Sequence, residues 1–190
     1  SLLELAQMLE QGGDSSVMLL NAYCAGFYNI TLAQDWPESD VWPYFAHHLD
    51  DLIEALVNST TQNYSFSRQG LFRAIATLPY PPAKVVHALF TLALGSGKTD
   101  RLPAQNALSN QADKEARIIA ALSDGKSETR MIAAQWLARI GYTPAIPALE
   151  TALKKEKQDQ AKAVFLDALQ SLGSPIDRYL DRDALASEAA

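Results

Sequence analysis

A short motif recurs four times in the last two thirds of the chain. Each copy opens with a cation and places an apolar residue seven positions later: "RQGLFRAI" from Arg68, "RLPAQNAL" from Arg101, "RMIAAQWL" from Arg130 and "KAVFLDAL" from Lys162. The openings are 33, 29 and 32 residues apart, a period typical of two-helix repeats. Second apolar segments follow at 83–94, 114–122, 144–153 and, more weakly, from 176. One helix pair cannot cover its own apolar face, so the pattern predicts stacked pairs.

One copy carries a family resemblance. The stretch "SETRMIAAQWLARIGYTPAIPALETALKKEK", residues 127–157, resembles a HEAT repeat of the variety found in phycobilisome lyases. It has an acid-x-Arg opening, an Ala-Ala pair, a Leu-x-x-Ile-Gly close and then Pro-Ala-Ile-Pro-Ala-Leu. The copies at Arg101 and Lys162 match more loosely, and the copy at Arg68 matches weakly. Residues 98–185 are also similar to the helical-repeat region of large bacterial proteins related to the molybdate metabolism regulator.

That resemblance implies an all-α fold, a right-handed α-α superhelix of the HEAT-like or ARM type. It also implies that the chain is a piece of a longer bacterial protein. We predict one continuous solenoid over 68–190 and, before it, an acidic helical cap or degenerate repeats over 1–67. Within that first part, the pattern indicates helices at 1–11, 15–26 and 44–57, with a connector at 35–43 and a loop at 58–65.

The segment "LGSGKTDR", 94–101, shares letters with a phosphate-binding loop. Such a loop needs a glycine where this chain has Leu92, and a strand must lead into it. Here the apolar spacing of 83–94 indicates a helix. We therefore predict a turn between two helices, with Gly95 left-handed at the end of the first and Thr99 or Asp100 capping the second. This interpretation excludes an ATPase.

Charge divides the chain sharply. Residues 1–67 contain nine carboxylates and no Lys or Arg, although the whole chain has 16 of these cations. Two explanations stand side by side: an acidic outer surface, or a face that meets a basic partner or a basic part of a larger chain. The single cysteine, Cys24, suits a reducing compartment, and no apolar run reaches the about 18 residues that span a bilayer. We expect a cytoplasmic protein with no membrane contact.

Few residues suggest chemistry. His47, His48, Asp50 and Asp51 form a metal-like cluster, in which His47 and Asp51 share a helical face, but nothing completes a ligand set. No nucleophile has a recognisable motif around it. We therefore predict no catalytic residues, no metal and no cofactor.

The cations Arg101, Arg130 and Lys162 recur at one place in successive repeats. They form either a ladder of ion pairs with acids of adjacent repeats or a stripe that binds a ligand. Trp136 is either a core residue or a binding anchor. We predict a non-enzymatic scaffold that binds a protein partner, with these candidate residues: Arg101, Arg130, Gln135, Trp136, Arg139 and Lys162. A HEAT-like module that binds nucleic acid is the alternative, against which a pI near 5.0 argues.

Overall fold

The computed structural model describes residues 1–25, 36–57, 68–175 and 179. These residues form α-helices and one 3-10 turn, Thr143–Ala145, and contain no strand. The eleven helices are α1 Leu2–Gln11, α2 Val17–Ala25, α3 Glu38–His47, α4 Leu49–Val57, α5 Arg68–Ala76, α6 Ala83–Ala93, α7 Lys98–Ala107, α8 Lys114–Ala121, α9 Ser127–Arg139, α10 Ile146–Lys155 and α11 Asp159–Ser171. The all-α prediction is confirmed for this part of the chain, and none of its helices has the length and apolar character that a bilayer crossing requires.

The chain folds as two compact units. The first contains Ser1–Ala93 and Gly97–Asn110; the second contains Leu94–Ser96 and the chain from Gln111 onward. This division falls later in the sequence than the boundary predicted after residue 67. The predicted loop at 58–65 and the weak helix from 176 lie outside the described residues, apart from residue 179.

In the first unit, the odd-numbered helices contact one another in chain order. α1 packs against α3, α3 against α5, and α5 against α7. α4 packs against α6, and α6 packs against α7. Side chains that are almost entirely buried fill the spaces between them, among them Tyr44, Phe45, Leu52, Leu71 and Leu89. Burial of such side chains supplies most of the free energy that holds short helices together in water.

Two predictions for the first unit are wrong. The predicted helix at 44–57 is divided at His48, whose φ of −103° and ψ of 38° leave the helical region. The predicted connector at 35–43 is largely helical, because α3 already begins at Glu38. Pro43 is the sixth of the ten residues of α3, and its missing amide leaves one helical hydrogen bond unmade.

The second unit contains the repeat copies that open at Arg130 and Lys162. α9 packs against α8 and α11, and α10 packs against α11. The alanine pair of α9, Ala133 and Ala134, is fully buried, so α9 presents only methyl groups to its neighbours at these two positions. Phe165 of α11 is also fully buried. The first helices of successive repeats therefore bury their apolar faces against each other in this unit.

The sequence repeat is in phase with the helices. Arg101, Arg130 and Lys162 are each the fourth residue of their helix, since α7 begins at Lys98, α9 at Ser127 and α11 at Asp159. The predicted apolar positions are buried in all four copies, with exposed fractions of 2% or less: Ile75, Leu108, Leu137 and Leu169.

The ends of α9 and α11 repeat as well. The amide of Tyr142 donates to the carbonyl of Leu137 at 3.1 Å, and the amide of Ser174 donates to the carbonyl of Leu169 at 2.9 Å. Each bond passes around a left-handed glycine, Gly141 with φ 65° and Gly173 with φ 83°. These are Schellman motifs, which satisfy carbonyls that the helix end leaves without partners.

The turn between α6 and α7 follows a different rule. The chain does pass from helix to helix there, which confirms the predicted turn. Gly95, however, is not among the left-handed glycines of the described residues, and Gly97 precedes the helix, so Thr99 and Asp100 lie inside its first turn. The buried side chain of Gln105 explains the difference. Its Nε2 donates to the carbonyl of Ala93 at 2.8 Å, so one terminal carbonyl of α6 is satisfied without a left-handed residue.

We predict that Gly141→Ala lowers the free energy of unfolding by about 1 kcal/mol, because a Cβ is disfavoured at positive φ. The matched control is Gly125→Ala in the same unit, where φ is not positive and a Cβ meets nothing within 4 Å. Urea unfolding of both variants measures the difference. Equal stability of the two variants contradicts the assignment of Gly141 as a conformational requirement.

Candidate functional site

Arg130 forms a bidentate ion pair with Glu156. Its Nε donates to Oε2 at 2.8 Å, and its Nη2 donates to Oε1 at 2.9 Å. The Glu156 side chain is 2% exposed and the Arg130 side chain 17% exposed. A planar guanidinium matches a carboxylate in this geometry, so the pair is both strong and directional.

The same two side chains also hold two stretches of backbone. Arg130 Nη1 donates to the carbonyls of Asp124 and Gly125, at 2.8 and 3.2 Å, in the loop before α9. Glu156 Oε1 accepts the amides of Lys157 and Gln158, at 2.9 and 3.0 Å, in the loop before α11. The first turn of α9 is thereby tied to both inter-repeat loops. We call this group of contacts the Arg130–Glu156 clip.

Opposing effects act on the pKa of Glu156. Burial alone raises the pKa, because it disfavours the charged form. The amide of Gln158, the guanidinium of Arg130 and the amide of Lys157 outweigh that effect, so the pKa of Glu156 lies below its ordinary value. The carboxylate is therefore ionised at neutral pH and keeps the charge that Arg130 requires.

A groove of about 610 Å³ opens beside the clip. Its floor is apolar and comes from α8, the turn after it, and α10: Ile119, Leu122, Ala148 and Ala152. Its rim is polar, with Ser123, Thr151, Lys155, Lys157 and Gln158, and its wall contains Arg130 and Glu156. We call it the α8–α10 groove. The sequence analysis did not predict it, although the run "KKEK" at 154–157 places two of its rim cations around the buried acid.

The other predicted binding residues fall into different environments. Gln135 and Arg139 are exposed, four residues apart and hence on one face of α9. Partial burial of the Arg139 guanidinium lowers its pKa below the ordinary value, because burial disfavours the charged form. The side chain stays charged at neutral pH, as arginines in proteins do. Trp136 is 1% exposed and lies in the core of the second unit, which is the packing alternative for this residue.

The three repeated cations do not share one kind of partner. Arg130 pairs with Glu156, which follows α10 at the end of the same repeat, 127–157, and not with an acid of an adjacent repeat as the ion-pair ladder expects. Lys162 instead pairs with Asp159 of its own helix at 3.0 Å, and that carboxylate is 95% exposed. Arg101 lies in α7 of the first unit, half-buried. A single basic stripe over the three residues stays a prediction.

A chain of polar side chains in the first unit has the connectivity of a nucleophile, a base and an acid. Ser16 Oγ lies 3.2 Å from His48 Nε2, and His48 Nδ1 lies 3.2 Å from Asp51 Oδ2. Yet Ser16 is only 3% exposed, and its hydroxyl donates to Glu10. A substrate carbonyl could not reach so buried an oxygen. We therefore infer that these hydrogen-bonded side chains help α1, α2 and α4 to pack together.

The structure also tests the metal-like cluster of His47, His48, Asp50 and Asp51. His48, and not His47 as the sequence suggested, contacts Asp51. Among the described residues, no group of three or more His, Cys, Asp or Glu side chains is placed to hold a metal ion.

Comparison of the chain with models of protein families, with curated proteins and with solved structures gives no match. The resemblance to HEAT repeats therefore rests on the residues themselves.

We predict that Arg130→Ala lowers the free energy of unfolding by roughly 3 kcal/mol, because it leaves a buried carboxylate without its counter-charge. Lys162→Ala is the matched control, at the equivalent helix position but in an exposed pair, and it changes stability by less than about 0.5 kcal/mol. Urea denaturation followed by circular dichroism gives both values. Equal losses for the two variants contradict the special role of the clip.

The lowered pKa of Glu156 also predicts a pH dependence. Its stabilising effect is fully present above the pKa of an unfolded glutamate, about 4.3, and is lost as the pH falls through the lower folded value. The difference in unfolding free energy between the original chain and Glu156→Gln should accordingly shrink as the pH falls below about 4. Urea unfolding across acidic and neutral pH tests this. A difference that stays constant over that range contradicts the prediction.

Proposed function

We propose that the chain is a helical-repeat scaffold of the HEAT-like type, which binds a protein partner and catalyses no reaction. One observation carries this proposal: the first helices of successive repeats, α9 and α11, pack side by side with the same phase and the same Schellman end. Repeats of this kind stack by using one interface again and again, and the resulting proteins commonly present extended binding surfaces.

A right-handed superhelical course for the helix pairs is part of the same proposal. Two features of the second unit support it. The helices α9 and α11 begin 32 residues apart, and the clip ties each inter-repeat loop to the same point of α9. If each pair packs on the next as α9 packs on α11, a constant step relates neighbouring pairs, and constant steps generate a superhelix.

The exposed face of α9 is the proposed contact surface. Gln135 and Arg139 project from it with one neutral and one cationic side chain, a combination that suits a polar protein surface. Arg130 and Trp136 hold α9 in place behind this surface. Arg130 does so through the clip, and Trp136 does so through its burial in the core.

The contact face generates a prediction for the double variant Gln135→Ala/Arg139→Ala. Used as bait for a cell lysate, it should lose the proteins that co-purify with the original chain, and a purified partner should bind about tenfold more weakly. The control is Gln170→Ala/Lys126→Ala, which removes one amide and one cation from exposed positions elsewhere in the second unit. Equal capture by the original chain and both variants contradicts the proposed face.

Nucleic-acid binding is the alternative, and the same proteins test it. A labelled duplex titrated at two salt concentrations distinguishes the two functions. Affinity for duplex that falls steeply with salt, and that Gln135→Ala/Arg139→Ala reduces, favours the nucleic-acid module over the scaffold.

A further inference from the structure

We propose that the α8–α10 groove binds an acidic peptide segment of the partner, which places an apolar side chain on the groove floor and carboxylates at its rim. This inference rests on the proposed protein-binding function and adds the chemistry of the partner. It also assigns the contact to a second surface, separate from the exposed face of α9.

The floor of the groove accounts for the apolar part of the segment. Ile119, Ala148 and Ala152 remain partly exposed on it, and Leu122 closes it from below. A volume of about 610 Å³ lies within the range of about 300 to 1,000 Å³ that is usual for ligand pockets. One or two apolar side chains of a peptide would cover surface that otherwise stays in contact with water.

The rim accounts for the negative charge. The clip neutralises Arg130 with Glu156, so neither contributes a net charge to the groove. Lys155 and Lys157 are exposed and, within the described part of the chain, make no ion pair. Two uncompensated ammonium groups therefore border an apolar floor. Carboxylates of a ligand are the groups that complement such a rim.

The clip also holds the rim in place. Glu156 lies between the two lysines in sequence, and its Oε1 accepts the backbone amide of Lys157 at 2.9 Å. The C-terminal end of α10, which Lys155 completes, and the loop that carries Lys157 are thus fixed relative to α9 before any ligand arrives. A preorganised rim lowers the entropic cost of binding.

The same features favour a peptide over a nucleic acid. Duplex recognition uses a row of cations along the phosphate backbone, and here only two cations border a short groove with an apolar floor. The whole chain has a formal net charge of −6, which repels polyanions at long range. A peptide segment supplies a few carboxylates and an apolar anchor together.

Direct binding measurements test the proposal. The probe is a fluorescein-labelled short peptide with a central leucine between aspartate and glutamate residues, and its affinity is measured by fluorescence anisotropy. The comparison peptides are an isosteric version with asparagine and glutamine, and an acidic version with serine in place of leucine. We expect the acidic leucine peptide to bind about tenfold more tightly than either comparison peptide, with affinity that decreases as salt increases.

Variants of the protein locate the site. Lys155→Glu/Lys157→Glu should weaken binding of the acidic leucine peptide at least about tenfold. Lys126→Glu/Lys154→Glu is the matched control, since it makes the same change in net charge in the same unit at two exposed lysines that do not line the groove. Ala152→Trp fills the floor and should also weaken binding, while circular dichroism verifies that each variant is folded.

Several results would overturn the proposal: equal weakening by both lysine double variants, unchanged binding to Ala152→Trp in its folded form, or tighter binding of duplex than of peptide through Lys155 and Lys157. Self-association that Lys155→Glu/Lys157→Glu abolishes would also overturn it, because a second copy would then occupy the groove.

Failure of the proposed function gives a different result. Partner capture that responds to Gln135→Ala/Arg139→Ala but not to the groove variants refutes the groove alone, whereas loss of all specific capture and peptide binding refutes both.

Discussion

The Arg130–Glu156 ion pair sets the geometry of the second unit. Burial of a carboxylate and a guanidinium costs several kcal/mol for each group, and their attraction compensates only when hydrogen bonds satisfy the remaining donors and acceptors. Here the backbone supplies those bonds, with carbonyls from the loop before α9 and amides from the loop before α11. We therefore infer that the clip mainly specifies one arrangement of the two loops and adds less to the net free energy of unfolding.

The buried apolar positions of the repeat stabilise the second unit, and the clip fixes the arrangement of its loops. Leu137 and Leu169 are fully buried, and each also offers its carbonyl to the amide beyond a left-handed glycine. One residue type at one repeat position thus contributes to both the core and the helix end. A substitution there would create a cavity and disturb the chain direction into the next helix.

The sequence was sufficient for what depends on local pattern. Helical spacing and glycine joints located the helices of the second unit, and the seven-residue interval identified positions that are indeed buried. Predictions failed where a distant side chain decides the local backbone. Gln105, twelve residues from Ala93, replaces the left-handed glycine that the turn after α6 seemed to require. His48, which contacts Ser16 just before α2, marks the interruption of a segment whose pattern predicts one amphipathic helix.

The candidate site shows the same limit in another form. Arg130 was identifiable from its recurrence, but its partner Glu156 is 26 residues away within a run of lysines that resembles an ordinary solvated helix end. Only the fold separates that run into a buried acid and three exposed lysines, two of which line the groove. The separation has a functional consequence, because an acid that is already paired cannot neutralise the lysines beside it. Their charge then remains available, at the edge of an apolar floor, to a ligand that brings its own carboxylates.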